Sequence, residues 1–187
     1  WRVQVSGLQG DDLGSFGGGE AAFLLVNSHR CVISVATVSI ANIGVRLMAG
    51  SSQNVLIGTV ITDADDEAMI LDGCARNVLV GHVWANSGGK NLMFQQGASR
   101  NIVANSLIEA ASQDTDPTYP NIDFEDGSYN TLQGVKVYQG TGAKQAKYGM
   151  KVRGGGTNLF HGVDFSASGR LGDIDPDSEW PEYDDVI

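Results

Sequence analysis

The string Gln53-Asn54-Val55-Leu56-Ile57-Gly58 returns, little changed, as Arg76-Asn77-Val78-Leu79-Val80-Gly81 and again as Arg100-Asn101-Ile102-Val103-Ala104-Asn105. Two looser copies follow, Tyr129-Asn130-Thr131-Leu132-Gln133-Gly134 and Thr157-Asn158-Leu159-Phe160-His161-Gly162. The asparagines are spaced 23, 24, 29 and 28 residues apart, and a degenerate copy, Cys31-Val32-Ile33-Ser34, stands 23 residues before the first. Such a period decides the architecture, because a unit this short cannot bury its own apolar face and must stack on its neighbours.

Each copy is preceded by a second short apolar-alternating run ending at or near glycine: Val45 to Gly50, Met69 to Gly73, Leu92 to Gly97, Ile122 to Gly127 and Tyr148 to Gly154, with Phe23 to Asn27 as the degenerate version. Short runs with β-branched content and Gly/Asn/Ser punctuation read as strands, and no stretch holds a convincing helical period. The unit is too short for a propeller blade, which takes ~40 residues, and it lacks the leucine pattern of a leucine-rich repeat. The expectation is an all-β parallel solenoid of about six coils over residues 21–166. Residues 1–20 read as an N-terminal segment or cap, and residues 167–187 as an acidic cap or linker with Trp180 and Tyr183 available to shield the last coil.

Composition agrees with one folded domain: 187 residues, 42% apolar and 18% charged. With 12 basic against 22 acidic residues the net charge is -10, and a surface of that sign repels phosphate backbones and anionic lipid. Nucleic acid and membrane are therefore not expected partners, and no apolar run approaches the ~18 residues of a membrane-spanning helix. The start at Trp1-Arg2-Val3 reads as a processed product or a piece of something longer. Gly at 25 and Pro at 4 favour tight turns over disordered linkers. Cys31 and Cys74 fall two coils apart, ~9 to 10 Å at ~4.8 Å per coil, too far for a disulfide, so both are expected as free thiols.

These asparagine-initiated segments resemble the right-handed parallel β-helix of the pectate lyase superfamily, which includes phage tailspikes. The resemblance covers roughly residues 20–166. It implies that Asn54, Asn77, Asn101, Asn130 and Asn158 form a ladder of stacked side chains that hydrogen-bond the backbone of the next coil. It implies little about activity, since lyases, glycoside hydrolases, epimerases, adhesins and virion spikes share the fold.

Counting from the ladder asparagine assigns faces. The residues two after it (Ile33, Leu56, Leu79, Val103, Leu132, Phe160) and seven after it (Val38, Ile61, Trp84, Ile108, Val137, Phe165) are all apolar and should face inward. On the strand before the asparagine, Phe23/Leu25, Met69/Leu71, Met93/Gln95, Ile122/Phe124 and Met150/Val152 count as inward, and Arg46/Met48 breaks the pattern. The alternate column then faces outward: Leu24/Val26, Leu47/Ala49, Ile70/Asp72, Phe94/Gln96, Asp123/Glu125 and Lys151/Arg153. Its apolar half asks for a cover, either the N-terminal strand from Trp1 to Val5 or a partner subunit, and spike-like members of the fold form parallel trimers.

Its charged half is the candidate site. Asp123 beside Lys151 and Glu125 beside Arg153 read first as a lateral ion-pair ladder. As a functional pair, Asp123 and Glu125 lie ~6 to 7 Å apart, near the spacing used by acid and nucleophile or base in glycoside hydrolysis. Connections of variable length border this face: 62–67, 86–90, 110–120 and 139–147. From the longest, Tyr119 offers an aromatic platform and Asp114 and Asp116 offer sugar contacts, alongside Lys151 and Arg153. Asp63, Asp65 and Asp66 form a Ca²⁺ candidate, but they lack the glycine and the closing bidentate Glu of a calcium hand, and no other cofactor is expected. The histidines, His29, His82 and His161, belong to no nucleophile motif, and no phosphate-binding or C-x-x-C motif occurs.

Three functions follow. The first is a virion tailspike-like or fibre-like protein that binds, and in one version depolymerises, cell-surface polysaccharide, working as a homotrimer or against other parts of a longer chain at an extracellular or virion surface. The second is a secreted polysaccharide lyase, glycoside hydrolase or epimerase. The third is a structural spacer.

Overall fold

Between each ladder asparagine and the next left-handed turn stand three residues, enough for one strand and no more. In the computed structural model, which describes residues 4–6, 9–11, 21–34, 37–39, 41–111, 118–139, 145–154 and 156–167, this unit generates three parallel sheets. The first sheet stacks β1 (Gln4–Ser6), β4 (Val32–Ser34), β7 (Val55–Ile57), β10 (Val78–Val80), β14 (Ile102–Ala104), β18 (Thr131–Gln133) and β21 (Leu159–His161). The second stacks β2 (Gln9–Asp11), β5 (Thr37–Ser39), β8 (Val60–Thr62), β11 (Val83–Ala85), β15 (Leu107–Glu109), β19 (Lys136–Tyr138) and β22 (Asp164–Ala167). The third stacks β3 (Ala21–Leu25), β6 (Ile43–Leu47), β9 (Met69–Asp72), β12 (Leu92–Gln95), β16 (Ile122–Phe124) and β20 (Met150–Val152). A short extra pair, β13 (Ala98–Ser99) with β17 (Gly127–Ser128), lines the turn from the third sheet to the first. No described residue is helical, and the fold is a right-handed parallel β-helix.

The chain turns from the first sheet to the second on a left-handed residue, Gly58, Gly81, Gly134 or Gly162, where a Cβ would clash with the following carbonyl. The turn from the third sheet to the first also passes through the left-handed region, at Arg30, Gln53, Arg76, Arg100 and Tyr129, which carry side chains. What holds it is the residue that follows. Asn54, Asn77, Asn101, Asn130 and Asn158 have no exposed surface. Each accepts at Oδ1 the backbone N–H of the rung before it, as in Asn77 N to Asn101 Oδ1 at 3.0 Å and Asn101 N to Asn130 Oδ1 at 3.0 Å. Their amide nitrogens donate to backbone carbonyls of the turn, such as Ala98 O at 2.9 Å from Asn130 Nδ2.

The interior is formed by the two apolar columns after the asparagine and one column pair of the third sheet. That third-sheet pair differs from the count made from the asparagine. Strand register aligns Val45, Met69, Leu92, Ile122 and Met150, and next to them Leu47, Leu71, Phe94, Phe124 and Val152. Leu47 and Phe94 are thus fully buried inside, with Phe94 stacked on Phe124 at 4.2 Å, whereas Arg46, Met93 and Gln95 belong to the outer face. The reason is a turn one residue longer in two coils. Leu71, Phe124 and Val152 lie six residues before their asparagine, but Leu47 and Phe94 lie seven before theirs. A one-residue change exchanges the two faces of a strand.

Residues 4–6 and 9–11, in the stretch read as an N-terminal cap, add a rung to the first and second sheets. Gln4 and Val5, of the segment read as a cover for the third-sheet face, instead pair within the first sheet, and residues 1–3 lie outside the described residues. The outer column runs Leu24, Arg46, Ile70, Met93, Asp123 and Lys151. Ile70 is nonetheless only 4% exposed, because Ile43 and Met93 pack against it. Cys31 and Cys74 are free thiols, and burial pushes the Cys74 thiol up to about 12.

Candidate functional site

Among the described residues, the buried charged side chains Asp72, Lys90 and Asp123 gather on and beside the outer face of the third sheet. At one end Arg46, on β6, donates from Nε to Asp72 of β9 at 3.1 Å and pairs with it again through Nη2. Farther along, Lys90 stands one residue before Asn91, and Asn91 leads into β12. Lys90 is 8% exposed, and its Nζ lies 3.5 Å from Asp123 Oδ2, 3.7 Å from Glu67 Oε1 and 3.6 Å from Met93 Sδ. Asp123, at the centre of β16, has no exposed surface and is gripped from the other side by Arg153, whose Nε donates to Oδ1 at 3.2 Å and whose Nη2 pairs with Oδ2. The same guanidinium reaches Glu125 Oε1 at 3.4 Å.

The charges thus cross coils diagonally. By register Asp123 faces Lys151, as the sequence count has it, and it is ion-paired diagonally to Arg153 and to Lys90. Arg153 joins the two carboxylates Asp123 and Glu125, a buried one and one whose side chain is 43% exposed. Burial raises the Glu67 carboxyl above its ordinary value, against the lowering pull of the Lys90 ammonium. A carboxyl so placed takes and gives a proton closer to neutral pH than a solvated one does.

A second asparagine pair holds this arrangement. Asn91 and Asn121, both fully buried, stand immediately before β12 and β16 and bond to each other at 3.0 Å. Asn91 donates to Glu109 O at 2.6 Å and accepts from Ser87 Oγ at 3.0 Å, while Asn121 accepts Ala111 N–H at 3.0 Å. They pin the loop edge where Lys90 leaves the backbone. Lys90, Asn91 and Asn121 were not singled out from sequence, and Glu67 only as a companion of the Ca²⁺ candidates Asp63, Asp65 and Asp66. The available signal was that both asparagines directly precede an inward apolar residue, Leu92 or Ile122.

Among the other candidates, Tyr119 is 37% exposed on the rim, with Lys90 Nζ 5.4 Å from its ring centre. Asp114 and Asp116 lie outside the described residues. Asp63, Asp65 and Asp66 are exposed, and among the described residues no three His, Cys, Asp or Glu side chains come together to hold a metal ion. His82 is buried in the turn to β11, its Nδ1 accepting Thr59 N–H at 3.1 Å and its ring stacked on Trp84 at 5.1 Å. Burial lowers its pKa to about 4, so it is a neutral structural group.

No family model matches the chain, and no curated sequence does either. Solved structures do. The A-module of the mannuronan C-5 epimerase AlgE4 of Azotobacter vinelandii superposes with a TM-score of 0.56 at 14% identity, over 87% of this chain and 48% of the module. The chain thus spans about half the length of that module. The alginate lyase of Paenibacillus sp. superposes with a TM-score of 0.50 at 14% identity, over 92% of this chain and 87% of the enzyme. At that identity the likeness is one of fold, and it places the chain with right-handed parallel β-helices.

Proposed function

We propose that the protein binds and processes an acidic polysaccharide on the outer face of its third sheet, by removing the proton at C5 of a uronate residue. The observation that carries this reading is the linked set Glu67, Lys90, Asp123 and Arg153, with the guanidinium reaching solvent, beside the exposed Tyr119. The two structural neighbours, an epimerase and a lyase named for mannuronan and alginate, support the choice of polymer.

A proton next to a carboxylate is removable only when the carboxylate's charge is countered, so such a site needs a cation on the sugar carboxylate and a group of intermediate pKa at C5. In this proposal Arg153 and Lys151 meet the carboxylate, Glu67 exchanges the proton, and Tyr119 lies along the ring. Asp123 holds Lys90 and Arg153 in place and Glu125 supports the guanidinium. The carbanion formed either expels the C4 oxygen, which takes a proton from solvent and leaves as a hydroxyl end with an unsaturated uronate behind it, or is reprotonated by solvent from the opposite side, giving the epimer. In both cases Glu67 returns its proton to solvent. A hydrolytic reading, with Asp123 and Glu125 as acid and base, would require Asp123 to leave both of its cations, which makes it the weaker alternative. The trimeric virion spike loses its main motive, since Leu47 and Phe94 of the apolar stripe are inside. An extracellular location belongs to the proposal, because the polymer is found there.

The test is incubation with mannuronan and alginate, reading unsaturated ends by ultraviolet absorbance and C5 configuration by proton NMR. One of the two products should accumulate, and Arg153→Gln should slow it by about 100-fold or more. If neither product forms from any uronan, the processing reading is wrong.

A further inference from the structure

The turn from the first to the second sheet uses glycine in four of the five described left-handed positions, and Asn105, with φ 50, is the exception. Asparagine tolerates this conformation at a cost that glycine avoids. Its exposed side chain lies over the next coil, where Oδ1 would stand 2.9 Å from a Cβ on Gly134. Beside it opens a cleft of about 580 Å³, lined by Asn105, Ser106, Leu107, Glu109, Lys136 and Tyr138 together with Gly134. Leu107 and Lys136 are neighbours across β15 and β19, as are Glu109 and Tyr138, and all four alternate with the buried Ile108 and Val137. The next rung is out of register between Lys136 and Tyr138, a device that re-aims side chains at sites.

The chemistry of this cleft differs from that of the third-sheet face. There the charges are committed to one another. Here, among the described residues, no hydrogen bond or ion pair is formed by the side chains of Asn105, Glu109, Lys136 or Tyr138. An amide, a carboxylate, an ammonium and a half-buried phenol ring converge on a space of ligand size. The ring offers a flat apolar face for the C–H side of a sugar, and the other three groups offer donors and acceptors for its hydroxyls.

We propose that this cleft is a saccharide-binding subsite, separate from the third-sheet face, in which a pyranose ring lies on Tyr138 and bonds to Asn105, Glu109 and Lys136. The choice of saccharide rests on the polysaccharide reading above. The subsite would tether a polymer to the second sheet while another stretch of it lies on the third.

The test is calorimetric titration of the full chain with short oligomannuronates and, separately, cello-oligosaccharides. Asn105→Gly restores the residue that four other coils carry, so it should keep the melting temperature. Both Asn105→Gly and Tyr138→Ala should weaken binding of at least one of these sugars by about tenfold. If both variants bind as wild type while Arg153→Gln binds more weakly, the cleft is no subsite and the third-sheet reading stands. If the cleft variants weaken and Arg153→Gln does not, the subsite stands and the third-sheet reading fails. Absence of binding by the wild-type chain to either sugar overturns both.

Discussion

At the scale of single residues, the ladder amides and one histidine carry most of what can be measured. Asn101 accepts at Oδ1 from the backbone N and Nδ2 of Asn77 and from the Cys74 thiol at 3.9 Å, and donates to Cys74 O and Asn130 Oδ1. Asn101→Ala leaves buried backbone groups without partners and should cost about 1–3 kcal/mol, read as a lower melting temperature. His82 gives a pH signature. Its folded pKa is about 4 against an ordinary 6.5, so the unfolded chain takes up a proton in that window and the folded chain does not. Stability from this group is complete above pH 6.5 and falls as pH drops to 4, by roughly 3 kcal/mol in all. His82→Asn should flatten the dependence of the melting temperature between pH 6.5 and 5, and an unchanged slope would show that the ring takes up its proton in the folded state. The ladder was legible because its asparagines recur beside identical apolar pairs. The pairing of Glu67 with Lys90 was not, because an acid at the end of an acidic loop and a lone base in the next loop look solvated until the fold packs Lys90 between Glu67 and Asp123.

At the scale of strands and turns, one inserted residue mattered more than any propensity. The apolar columns of the first and second sheets were readable because, in the five described turns from Gly58 to Gly162, the connection between them is a short turn on a left-handed residue, so a count from the asparagine stays in phase. The turn from the third sheet varies by one residue, and two coils therefore counted out of phase. Arg46 in an inward column, and Gln95 in another, were the marks of that slip. Close packing inside the coil gives a further test. A Cβ on Gly44 of β6 would stand 2.5 Å from both Ala68 O and Ile61 Cγ2, so Gly44→Ala should cost about 1–3 kcal/mol in a denaturant titration. Gly81 has φ 70 and nothing within 4 Å of its Cβ position. Gly81→Asn reproduces what Asn105 does one coil later and should cost about 0.5–1 kcal/mol, the strain of a side chain in the left-handed region with no clash added.

At the scale of the molecule, stacked coils turn a one-dimensional repeat into a surface on which residues about one repeat apart become neighbours. Asp123 and Arg153 are 30 residues apart in sequence and Lys90 and Asp123 are 33 apart, yet each pair is ion-paired in space. That distance is why the fold could be read from the period while the diagonal charge network could not: the period gives columns, and long side chains reach across them. Three of the four methionines divide usefully between the two sides of the third sheet, with Met69 and Met150 inside the coil and Met93 on the outer face, its sulfur 3.6 Å from Lys90 Nζ. The central claim is that polysaccharide is handled on that outer face, and it is tested most directly by NMR of methionine ε-methyl groups during titration with oligomannuronate. The account predicts that the Met93 signal shifts with saturating dose while those of Met69 and Met150 hold still. Saturable binding that leaves Met93 unmoved would contradict it.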